Sequence, residues 1–83
     1  MMWRFEKALE SLGMTVTERT ETGNGMPIII ATLETERGKI EVACGANGCA
    51  RIDKPNKTHK WYYEKSPAQI RAAVKQTIDF WMN

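Results

Sequence analysis

An α+β fold is predicted for this 83-residue chain: an antiparallel meander of three to four strands, one helix at each end, and both helices on one face of the sheet. Three observations predict it. The first dozen residues are apolar at helical spacing. The middle of the chain alternates apolar and polar residues between Gly/Asn turns. The end returns to helical spacing behind a capping signal.

Residues 3–12 set Phe5, Ala8, Leu9 and Leu12 on one helical face. Gly13 suits the left-handed position that ends a helix, and Met14 then covers Leu9 in a Schellman arrangement. Residues 14–22 are rich in Thr and Val, which favour a pleated strand. Gly23-Asn24-Gly25 offers a tight hairpin turn. Over 27–35 Ile29, Ala31 and Leu33 share one face, and Ile28, Ile30 and Thr32 share the other. Pro27 cannot donate to a ladder, which places it at the strand's start. Glu36-Arg37-Gly38 turns the chain again, Ile40, Val42 and Cys44 alternate on a third strand, and Gly45-Ala46-Asn47-Gly48 leads to a short fourth with Ala50 and Ile52. Residues 53–60 are polar and aperiodic and read as a loop. Trp61-Tyr62-Tyr63 reads as either a further short strand or a packed lid. Ser66-Pro67-Ala68-Gln69 supplies a cap, a first-turn proline and the far half of a capping box. In the helix that follows, Ile70, Ala73, Val74, Thr77 and Trp81 face inward, while Arg71, Lys75 and Asp79 line the outer side.

A chain of this length has room for one core, so residues 1–83 read as a single domain. With 42% hydrophobic and 27% charged residues, its composition is that of a globular protein rather than a disordered one. The longest apolar run, Met26 to Ala31, is far short of the roughly 20 residues that span a bilayer. Met1-Met2-Trp3-Arg4-Phe5-Glu6-Lys7 carries an acid early and does not read as an export signal. No membrane role is expected, and a cytoplasmic location is. There Cys44 and Cys49 stay thiols, read as a half-buried pair facing across a turn.

Catalytic and cofactor chemistry finds little support. Cys44 and Cys49 with the single His59 give at most three soft ligands and no second pair for tetrahedral zinc, so no metal is expected. Neither Gly23-x-Gly25 nor Gly45-x-x-Gly48 carries the Lys-Ser/Thr of a phosphate loop. Ser11 sits on a helix and Ser66 caps one. Glu34, Glu36 and Glu41 read as a solvated hairpin surface. The expectation is a non-catalytic binding module without a cofactor.

Charge is unevenly divided. Residues 1–43 hold five Lys/Arg and seven Asp/Glu, a net −2; residues 44–83 hold seven and three, a net +4. Within 51–75, Arg51, Lys54, Lys57, His59, Lys60, Lys65, Arg71 and Lys75 surround Trp61, Tyr62 and Tyr63. Cations contact phosphates and aromatic faces stack on bases, so nucleic acid or a nucleic-acid-handling protein is the expected partner. Trp61 and Tyr63 are also large enough to be core residues.

The order helix, meander, helix resembles the double-stranded-RNA-binding domain and the HicA-type toxin of the same architecture, and Phe5 to Val16 is similar in pattern to their first helix and strand. Ser66-Pro67-Ala68-Gln69 stands where the former opens its second helix with a lysine-rich motif. Met26-Pro27-Ile28-Ile29 lacks the strand histidine of the latter. The resemblance implies architecture, and no functional residue is carried over from either family.

The alternative reading is a protein-binding inhibitor or adaptor, of the kind common among phage and mobile-element proteins. Ile28 and Ile30 lie opposite the Ile29/Leu33 face, and Phe80 and Met82 exceed what one helix face can hide. Such apolar surface marks an interface with a partner or with a second copy in a homodimer.

Overall fold

The computed structural model describes residues 3–83; Met1 and Met2, the start of the segment read against an export signal, lie outside that description. In order the elements are α1 (Trp3–Glu10), β1 (Thr15–Glu21), β2 (Pro27–Thr35), β3 (Gly38–Gly45), β4 (Ala50–Asp53), β5 (His59–Tyr62) and α2 (Pro67–Met82). The strands form one antiparallel sheet in sequence order, β1-β2-β3-β4-β5, with a helix at each end of the chain.

Helix α1 closes as its sequence predicts. Gly13 takes φ +86°, its N–H donates to Glu10 O, and the Met14 N–H donates to Leu9 O across the Schellman turn. Helix α2 opens on a capping box: Gln69 N donates to Ser66 Oγ at 3.2 Å, and Ser66 N donates to Gln69 Oε1 at 2.9 Å. Arg19 of β1 clamps Glu6 of α1 through Nε and Nη2 at 2.9 and 3.1 Å, and this hydrogen-bonded pairing raises the Arg19 pKa further. So exposed a pair registers the helix on the sheet more than it stabilises it.

The core lies between the helices and one sheet face. Phe5 and Leu9 from α1 and Ile70 and Val74 from α2 pack on Ile29, Ala31, Ile40, Val42, Cys44, Ala50 and Ile52. Each strand residue is one that period-two alternation sends inward. The other face carries Ile28, Ile30, Ala43, Arg51 and Trp61, and among the described residues no helix lies over it.

Five strands form where the sequence predicts three or four. Residues 53–60 are not a loop throughout: only 54–58 turn, and His59 and Lys60 pair with Asp53 and Ile52. The thiols also differ from expectation. Cys44 is wholly inside the core rather than half-buried, while Cys49 is half-buried; both are free. Among the described residues no helix is long and apolar enough to cross a membrane.

Candidate functional site

Alternation along β5 divides the basic and aromatic segment between two faces. Lys60 and Tyr62 oppose Ile52 and Ala50, so they point to the helix side. Trp61 and His59 oppose Arg51 and Asp53 and point to the open side. The basic and aromatic residues that sequence reasoning groups together therefore do not form one surface.

On the helix side, β5 and α2 bound a groove. Two adjoining hollows of about 440 and about 670 Å³ share Lys60, Tyr62 and Gln76. Lys54, Phe80 and Trp81 line the first; Arg71, Lys75 and Asp79 line the second. Four cations and three aromatic rings thus meet with a single carboxylate. Phe80, exposed to 68%, belongs to this groove, so it does not share a patch with Ile28 and Ile30, which lie half-buried on the opposite sheet face. Met82 is exposed on the last turn of α2.

Two of the groove's cations are oriented by uncharged groups. Arg71 Nε donates to Ser11 Oγ at 2.8 Å, and Ser11 Oγ donates on to Ala8 O, so an uncharged chain orients the guanidinium. Lys60 Nζ sits 5.4 Å from the Tyr62 ring centroid, within cation–π range. Lys75 alone is compensated, by Asp79 at 2.8 Å. Outside the groove three cations are ion-paired: Arg19 with Glu6, Lys39 with Glu41, Arg51 with Asp53. Among the described residues no ion pair forms at Lys54, Lys57, Lys60, Lys65 or Arg71.

On the open side the rings are stacked. Trp61 and Tyr63 lie 6.2 Å apart at 11°, and the Arg51 guanidinium sits 5.7 Å from the Trp61 centroid. Trp61 at 49% and Tyr63 at 61% exposure are surface residues, which answers the question left open by the sequence. Ile30, Ala43, Arg51 and Trp61 stand in one row across four strands.

The remaining cations are peripheral. Lys57 marks the tip of the β4–β5 hairpin, and Lys65 lies against Gly48 beyond β5. His59 is exposed and, among the described residues, no three His, Cys, Asp or Glu gather as a metal site. Sequence reasoning missed Gln76, Phe80 and Trp81 as lining. The available signal was α2 itself: residues 76 and 80 are one turn apart on the side that its buried face leaves over. Comparison with protein-family models, with curated proteins and with solved structures gives no match.

Proposed function

We propose that the protein binds nucleic acid, and that the groove between β5 and α2 is where it does so. The observation that carries this reading is the contrast in ion pairing. Arg19 beside α1 and Lys39 and Arg51 on the open sheet face have carboxylate partners, whereas, among the described residues, Lys54, Lys60 and Arg71, all lining the groove, form no ion pair. Uncompensated cations beside the exposed Phe80 ring and the half-buried Tyr62 and Trp81 suit a polyanion with stackable bases. Lys57, at the adjacent hairpin tip, lines a separate hollow with Lys39, Glu41 and Asp53. In this reading Arg51, Trp61 and His59 do not touch the ligand, because β4 and β5 turn them to the other face.

The experiment is co-purification. Wild-type protein, taken through a low-salt preparation, carries absorbance at 260 nm that a high-salt wash removes. A Lys54→Glu, Lys60→Glu double variant, altered only at the groove rim, comes through without it. Equal 260/280 ratios for both proteins before the wash would count against the groove.

A second reading, an adaptor or inhibitor that binds protein, is favoured by the Arg51–Trp61–Tyr63 stack, in the same cross-strand row as Ile30. Exposed Trp, Tyr and Arg are the residue types that dominate protein interfaces.

A further inference from the structure

The two edges of the sheet are unlike. On β1 the ladder to β2 shifts between Val16 and Glu18, and the strand carries Glu18, Arg19 and Glu21. A bulge and charged side chains are the usual means of keeping an edge from pairing. The β5 edge has no bulge and a single formal charge, Lys60, whose side chain lies on the helix side; its residues His59, Lys60, Trp61 and Tyr62 are mostly exposed.

Hydrogen-bond alternation fixes which backbone groups lie on that edge. Lys54 N donates to Thr58 O at 2.8 Å, so that pair is hydrogen-bonded, and every second pair along β4–β5 follows it: Ile52 with Lys60, Ala50 with Tyr62. The β3–β4 hairpin agrees. Its closing bond, Gly45 N to Cys49 O, assigns Arg51 and Asp53 to β3 and leaves Ala50 and Ile52 for β5. The N–H and C=O of His59 and Trp61 therefore point away from the sheet.

We propose that this edge pairs with the β5 edge of a second copy, antiparallel about a two-fold axis at Trp61. Opposed residues must share a face, which excludes an axis between Lys60 and Trp61. An axis at Lys60 would set two ammonium groups against each other, which is unfavourable. An axis at Trp61 matches both chemistry and backbone. Trp61 meets the second copy's Trp61 as a hydrogen-bonded pair with both outward groups used. His59 meets the second copy's Tyr63. On the helix side each Lys60 meets the other copy's Tyr62, repeating between chains the contact that these two residues already make within one. Arg51 stacks on Trp61 from the β4 side, so it does not occupy the edge. This pairing shares Lys60 and Tyr62 with the groove, and it leaves Ile28 and Ile30 uncovered. An interface of one short strand belongs to the weak, concentration-dependent class.

Sedimentation velocity from low to high micromolar concentration tests it, together with residue-resolved amide exchange. The wild type shifts from the mass of one 9.5 kDa chain toward twice that mass, and Ile28→Glu does the same. Trp61→Glu, which opposes two carboxylates at the axis, stays at one. Exchange in the wild type guards against a folding defect in that variant. The Trp61 amide is fast when dilute and slows with concentration, while the Lys60 amide, bonded to β4, is protected throughout. A single-chain mass at high micromolar concentration with a fast Trp61 amide overturns the proposal. So does a dimer that survives Trp61→Glu, or one abolished by Ile28→Glu alone.

Discussion

Lys57 occupies in the β4–β5 hairpin the place that Gly48 occupies in the β3–β4 hairpin. Both loops close with the same two bonds: Gly48 N to Gly45 O and Gly45 N to Cys49 O in one, Lys57 N to Lys54 O and Lys54 N to Thr58 O in the other. Gly48 takes φ +83° and Lys57 takes φ +70°. The β1–β2 turn repeats the pattern with Gly25 at φ +85°, so of three like-built loops only one sets a side chain in the left-handed region.

Lys57→Gly relieves that conformation at a site with no ion pair to lose. Stability rises by about 1 kcal/mol, the order of the left-handed penalty for a non-glycine residue. Chemical denaturation of the two proteins measures the difference. An unchanged or lowered midpoint would show that the lysine side chain stabilises the turn by more than its backbone costs.

Gly48→Ala goes the opposite way, and by more. A Cβ there would lie 2.2 Å from Lys65 O and 2.7 Å from Lys65 N, both backbone atoms, in a conformation already costly for alanine. Lys65 N donates to Gly48 O at 3.1 Å, so the clash falls on the segment that carries the chain from β5 into α2. A loss of more than about 2 kcal/mol is expected, from strain added to overpacking. Thermal unfolding reads it directly.

The two thiols separate by reactivity. Burial, with a smaller contribution from the Cys49 charge, pushes the Cys44 thiol from its ordinary 9.0 up to about 12. A water-soluble disulfide reagent therefore titrates Cys49 in the folded protein and reaches Cys44 only on unfolding. The shift has a thermodynamic counterpart. Between pH 9 and 12 the unfolded chain gives up the Cys44 proton and the folded chain keeps it, so this thiol's contribution is intact below pH 9 and falls as pH rises through that window. At full separation the slope is about 1.4 kcal/mol per pH unit. Cys44→Ala shows a correspondingly shallower alkaline decline. Identical slopes would contradict the assignment.

The fold was legible wherever alternation and turn chemistry agreed. Every inward residue from Ile29 to Ile52 follows from period two, and both helix ends follow from Gly13 and Ser66. The fifth strand was hidden because its hairpin lacks the usual signal: Lys57 stands where glycine announces a turn, and His59-Lys60-Trp61-Tyr62 has no aliphatic residue on either face. The candidate site was obscured for the same reason. Until β5 is a strand, Lys60 and Trp61 are neighbours in a loop; once it is, they are on opposite sides of a sheet. Phe80 reads from sequence as excess apolar surface, and only the position of β5 beside α2 shows which cations it joins.

The groove is tested most directly by the salt dependence of oligonucleotide binding, followed as fluorescence anisotropy of a labelled strand. Each phosphate contact contributes about 0.7 to 0.9 to the fall of log K with log salt. Lys60→Glu with Lys75→Glu should weaken binding for every sequence alike and flatten that slope by about two contacts. Arg51→Glu, on the open face, should leave both quantities unchanged. Tyr62→Ala should cost single strands about 1 to 3 kcal/mol and duplexes less, because stacking needs an unpaired base. Absence of salt-sensitive binding to RNA or DNA by the wild type at micromolar concentration, or an equal loss from Arg51→Glu, would contradict the account.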